Sequence, residues 1–129
     1  MTDERSDKNV VGVVLSSLDG YLRSEGFENI EAIAEGYDDP PTVMWKDGEK
    51  VFQPDIVAYK NKSASVYEIE QCQNLRKGQV ASRWKLMYRF AEKRNGEFCL
   101  IIPEGKKELV KRIVSELDIQ ASCLLVQGL

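Results

Sequence analysis

The chain of 129 residues contains no histidine. That absence removes serine–histidine and cysteine–histidine nucleophile pairs and every imidazole metal ligand, leaving carboxylates, lysines and hydroxyls for any chemistry. Cysteine is scarce too. Cys72, Cys99 and Cys123 are odd in number and lack CxxC spacing, so they read as reduced, mostly core thiols and not as a disulfide framework or a zinc knuckle. No apolar run approaches the roughly 20 residues that a bilayer span requires. The opening stretch MTDERSDKN has no apolar core behind its charges, so a cytoplasmic protein is expected. Internal repeats, linkers and low-complexity stretches are missing as well, and the length is one domain's worth, a single domain over 1–129.

What is present is a globular composition, 43% hydrophobic and 30% charged. The net charge of -3 conceals an asymmetry: residues 1–59 hold 13 acidic and 5 basic side chains, residues 60–129 hold 8 and 13. Either the second half carries a basic surface of the kind a polyanionic partner needs, or these are unrelated solvated faces.

Val11, Val14, Leu15, Leu18 and Leu22 recur at helical spacing after Ser6-Asp7, and Gly26 sits where a capping glycine is expected, which predicts a helix over about 8–24. A strand is expected over Phe27–Glu35 and a loop over Gly36–Pro41. Val43–Trp45 and Val51–Gln53 flank the turn signal Lys46-Asp47-Gly48-Glu49, a first hairpin. Pro54–Tyr59 and Ser65–Glu70 form a second, joined by Lys60-Asn61-Lys62-Ser63. Leu75–Arg94 carries Val80, Trp84, Met87, Tyr88 and Ala91 on one face and stops near Asn95-Gly96, a long amphipathic helix. A strand over Phe98–Ile102, a helix over Glu104–Leu117 and a strand over Ser122–Val126 complete the order. Such a succession predicts an α/β fold, a mixed sheet covered by helices.

A symmetric second hairpin, with a loop of two or four residues, sets Asp55 directly opposite Glu68. Alternation then puts Glu70 on the same face as Glu68, with Val57 and Val66 further along it. Like charges facing each other weaken a sheet by up to about 1 kcal/mol unless something compensates. A hard divalent cation held by Asp55, Glu68 and Glu70 is one compensation; a solvated hairpin end that keeps the edge soluble is the other. Two opposed anions also predict that removing either one leaves the fold intact or more stable.

Pro54-Asp55, twelve residues, then Glu68-Ile69-Glu70, set in this element order, resembles the PD-(D/E)xK nuclease superfamily with its restriction-endonuclease-like fold, most of all the archaeal Holliday junction resolvases. Leu18–Phe27, Gln53–Ala58 and Phe98–Pro103 are similar to their first helix end, second strand and the strand after their long helix. The resemblance covers roughly 10–103 and implies an αβββαβ core, a central mixed sheet flanked by helices, here with an extra C-terminal helix and strand. It further implies that Asp55 and Glu68 hold Mg²⁺ or Mn²⁺ with the Ile69 carbonyl, and that position 70 carries the motif lysine. This chain departs there, with Glu70, as some restriction endonucleases using ExE do. It departs again in the first helix, where Leu15 or Ser16 stands in place of a metal-binding glutamate and Glu25 and Glu28 lie near the helix end.

The helix that follows offers other cations. Arg76, Lys77, Arg83, Lys85, Arg89, Lys93 and Arg94 face only Glu92 in charge. Lys85, Arg89 and Lys93 form a stripe opposite Val80, Trp84 and Ala91, a phosphate-tracking surface or a solvated face. By the resemblance, Lys77 or Lys85 is a relocated motif lysine, with Lys85 as a catalytic residue. Lys77, Arg83, Lys85, Arg89 and Lys93 form the expected DNA-binding set. The QxxxY motif of recombination-type nucleases is not matched, since Gln79 is followed by Arg83, and Trp84, Tyr88 and Phe90 read as packing residues. The resulting expectation is a Mg²⁺-dependent endonuclease or nuclease-like DNA-processing protein acting on duplex or branched DNA, as a two-fold homodimer by the resemblance. The other reading is a catalytically silent module for DNA binding or subunit interaction.

Overall fold

A computed structural model describes residues 8–129, apart from 46–47, 49–50 and 74. The start signal Ser6-Asp7 and the turn residues Lys46, Asp47 and Glu49 lie outside the described residues.

Helix α1 spans Lys8–Ser24 and buries Val11, Val14, Leu15, Leu18 and Leu22, the stripe expected from their spacing. It ends because Gly26 adopts φ 97, a left-handed conformation that costs glycine nothing. There the Gly26 N–H donates to the Arg23 carbonyl and the Phe27 N–H to the Leu22 carbonyl, both at 3.1 Å, closing the last carbonyls of the helix. Strand β1 is confined to Asn29–Ala32, shorter than the 27–35 expected. The Phe27 N–H is consumed by the helix cap, and beyond Ile33 the chain turns at Gly36, φ 89.

Strands β2 (Val43–Met44) and β3 (Val51–Phe52) make a small antiparallel pair of their own. β4 (Ile56–Lys60) and β5 (Ser63–Ile69) pair in the expected register, Ile56 with Tyr67 and Val57 with Val66, around Asn61 at φ 54. Helix α2 (Lys77–Lys93), strand β6 (Phe98–Pro103), helix α3 (Lys107–Leu117) and strand β7 (Ser122–Val126) follow. Gly96, between α2 and β6, admits no side chain: a Cβ there would lie 1.8 Å from the Ala64 carbonyl oxygen.

The five-stranded sheet runs β1-β4-β5-β6-β7. β1/β4 and β4/β5 are antiparallel, β5/β6 and β6/β7 parallel. Each parallel step contains a helix, as a crossover connection requires. On one face α1 packs against Ile30, Ala32, Ile56, Ala58, Ile69 and Ile101. On the other, Val57, Val66, Phe98, Leu100 and Ile102 meet Trp84 and Met87 of α2 and Val110 and Ile113 of α3. β6, buried on both faces, accordingly reads as a continuous apolar run, Phe98 to Ile102. Fully buried side chains such as Trp84, Leu22 and Ile101 each contribute roughly 1.5–3 kcal/mol of hydrophobic stabilisation. Among the described residues no helix is long and apolar enough to cross a membrane.

Candidate metal and phosphodiester site

Strand alternation puts Asp55, Val57, Val66, Glu68 and Glu70 on the sheet face that α2 covers. Burial is nearly complete: Asp55 is 0%, Glu68 1%, Glu70 9% and Arg83 4% exposed. The Asp55–Glu68 opposition expected from the hairpin is built through the backbone. Asp55 N–H donates to Glu68 Oε1 at 2.8 Å, and Ile69 N–H donates to Asp55 Oδ2 at 2.9 Å. Each carboxylate thus takes an amide from the other strand where the β4–β5 ladder ends. The Asp55 carbonyl accepts the Ile33 N–H at 3.0 Å and Glu70 N–H reaches the Ile101 carbonyl at 2.9 Å, so both residues remain anchored in the sheet.

The cation facing these acids is Arg83. Its Nη2 donates to Glu70 Oε2, and its Nε lies 3.4 Å from Glu68 Oε2. Trp84 Nε1 donates to the same Glu70 oxygen at 2.9 Å, so two consecutive residues of α2 hold that carboxylate. Burial first, then the Asp55 and Glu70 charges, raise the Glu68 carboxyl well above the ordinary glutamate range, with Arg83 opposing.

Glu70 and Arg83 form part of the wall of a cleft of about 470 Å³, with Phe52, Gln73, Gln79 and Ser82 around it; Asp55 and Glu68 do not line it. Cys72, also in the wall, has φ 64 and donates its thiol to the Glu70 carbonyl at 3.5 Å. Burial, with Glu70 adding to it, pushes that thiol up to about 11, so it stays protonated at neutral pH. A larger groove of about 860 Å³ between α1 and residues 124–129 is lined by uncharged side chains such as Val13, Tyr21 and Leu125. It contains none of the acids, so it has no part in carboxylate chemistry.

The other expected site residues fall elsewhere. Lys85 is half-buried and sits about 200° around α2 from Arg83, so the helix aims it away from the carboxylates. Lys77 pairs with Glu116 at 3.4 Å. Arg89 is exposed, its guanidinium 5.5 Å above the Trp45 ring, and Lys93 is exposed in the last turn. Arg83, expected in the DNA-facing set, is instead buried against the carboxylates, because its position on the wheel falls among Val80, Leu86, Met87 and Phe90, all buried. That placement in an apolar stripe was the available signal, since a charge there needs a buried partner. The hydrogen bond from Trp84 had no counterpart in the pattern. In α1, Leu15 is core and the Ser16 hydroxyl donates to the Val13 carbonyl at 2.6 Å, while Glu28 accepts the Asn61 N–H at 3.1 Å; none joins the cluster.

Comparison of the chain with family models, curated proteins and solved structures yields no match.

Proposed function

We propose that this chain is a nuclease-like DNA-processing protein whose carboxylate cluster holds Mg²⁺ or Mn²⁺ for phosphodiester hydrolysis. The observation that carries the reading is the placement of Asp55, Glu68 and Glu70 on one buried sheet face beside a cleft, with the Arg83 guanidinium against Glu68 and Glu70. With the separate β2–β3 pair set aside as an insertion, the succession α1, β1, β4, β5, α2, β6 is compatible with the αβββαβ order of a restriction-endonuclease-like core.

Carboxylates are the donors a hard cation takes, although among the described residues no group of three or more acids, cysteines or histidines is arranged to hold an ion as it stands, with the Arg83 guanidinium between Glu68 and Glu70. Asp55 and Glu68 would hold the ion and Glu70 would serve as third ligand or as the base that orients water. A bound divalent ion supplies Lewis-acid polarisation of the phosphodiester and acidifies an attacking water, which suits a chain without histidine. The Asp55–Ile69 and Glu68–Asp55 hydrogen bonds fix the two carboxylates before any ion arrives, so little reorganisation is needed. Trp84 fixes the rotamer of Glu70 by its indole N–H. Lys85, Arg89 and Lys93 offer charge for duplex or branched DNA on the outer face of α2.

The silent-module reading draws on the same Arg83, because a guanidinium inside the cluster already supplies one counter-charge without metal. Incubating parent and Asp55→Asn proteins with duplex and four-way-junction DNA, Mg²⁺ or Mn²⁺ present, separates the two. Metal-dependent cleavage that Asp55→Asn lacks supports the nuclease reading. DNA binding with no cleavage of any form by the parent favours the silent module.

A further inference from the structure

We propose that Arg83 is the resident counter-cation of the carboxylate cluster and competes with a divalent ion for Glu68 and Glu70, so that this side chain sets the metal affinity of the site. The inference rests on the metal-binding reading above and deepens it.

Consider which oxygens an ion would need. Glu68 Oε1 is committed to the Asp55 N–H and Asp55 Oδ2 to the Ile69 N–H. The oxygens that Arg83 faces are Oε2 of Glu68 and Oε2 of Glu70. These point at a common space between the strand and the helix, and a guanidinium stands in it. A divalent ion held by Glu68 with Asp55, and with Glu70 as third ligand, would compete for these oxygens, and two like cations a few ångströms apart repel strongly where little water screens them. Both cannot stay.

Arg83 also has somewhere to go. Its side chain forms part of the wall of the 470 Å³ cleft, which Gln73, Gln79 and Ser82 also line, polar groups able to receive a guanidinium. A move toward that wall is a side-chain rearrangement, since Val80, Trp84 and Met87 keep α2 packed on the sheet. Trp84 would keep its hydrogen bond to Glu70 throughout. The arrangement therefore has two charge-compensated forms, one with arginine inside and one with metal. The first keeps the buried acids tolerable when metal is scarce.

Calorimetric titration of the full chain with Mn²⁺ tests this on the parent, Arg83→Gln and Arg83→Lys. Loss of competing charge-assisted contacts predicts that Arg83→Gln binds Mn²⁺ roughly ten- to a hundredfold tighter than the parent. Arg83→Lys, which keeps a charge but not the fork that spans two carboxylates, should tighten by a smaller factor. An arginine with a purely structural role would give the opposite, weaker binding as the cluster loosens. Equal or weaker affinity in both variants, with the parent binding normally, overturns the competition and leaves the metal reading standing. Should Arg83→Gln fail to fold without metal, Arg83→Lys decides alone on the same criterion. A parent that binds no Mn²⁺ beside a variant that does supports the proposal, and no binding in any of the three overturns it together with the metal site.

Discussion

Asp55 and Glu68 hold each other through the backbone: the Asp55 amide sits on Glu68 Oε1 at 2.8 Å, and the amide following Glu68 sits on Asp55 Oδ2 at 2.9 Å. Two acids that alternation alone would treat as repelling neighbours therefore terminate the β4–β5 ladder, each satisfying an amide that burial would otherwise leave costly.

This dual role changes what truncation does. Asp55→Ala and Glu68→Ala should each lose about 2–4 kcal/mol of stability, the first by orphaning the Ile69 N–H, the second by orphaning the Asp55 N–H and weakening the hold on Arg83. The simple expectation from opposed charges, a neutral or stabilising change, omits those amides. Asp55→Asn and Glu68→Gln keep an acceptor and should lose less than half as much. Urea unfolding of the four variants checks the ranking.

Glu68 also predicts an unusual pH dependence for the metal-free protein. Its folded carboxyl is raised by burial and by Asp55 and Glu70, so between the ordinary glutamate value and the raised one the folded state binds more protons than the unfolded state. Stability then falls as pH rises through that window. Glu68→Gln should flatten the slope, and added Mg²⁺ should reverse it by favouring the ionised form. Thermal melts across pH, with and without Mg²⁺, measure this.

The element order, the β4–β5 register and the shared face of Asp55, Glu68 and Glu70 were legible because period-two alternation and hairpin symmetry are local rules. The buried stripe and the C-terminal end of helix α1 were legible for the same reason, its spacing and Gly26 being local signals. The truncation of β1 was not, since it depends on the amide of Phe27 being taken by the helix cap. Arg83 was misread as surface because a count of basic residues ignores azimuth. Its wheel position between Val80 and Met87 places it against the sheet, whereas Lys85, two residues on, turns outward.

Glu70→Lys, the change that recreates the commoner motif, should be strongly destabilising, by about 3–5 kcal/mol, because it sets an ammonium against the buried Arg83 guanidinium and deprives Trp84 Nε1 of its acceptor. Metal affinity and any cleavage should fall with it. A stable Glu70→Lys protein that gains cleavage of branched or duplex DNA would instead mark the parent as a nuclease that lost its lysine.

On the outer face of α2, Lys85→Glu with Arg89→Glu should weaken DNA binding without altering sequence preference. The salt dependence should flatten by about one to two units of slope, roughly one per lost phosphate contact. Arg89 packs over Trp45, so Arg89→Lys serves as the control that keeps charge while disturbing the ring contact. Fluorescence anisotropy with duplex and junction DNA over a salt series reads the slope, and an unchanged slope would reduce the stripe to a solvated face.

The central claim, a divalent-cation site made by Asp55, Glu68 and Glu70, is tested most directly by calorimetric Mn²⁺ titration of the parent beside Asp55→Asn. Both proteins should be folded, since the asparagine retains an acceptor for the Ile69 amide. The parent should bind Mn²⁺ saturably and Asp55→Asn should not; equal Mn²⁺ affinity in the two proteins would rule the site out.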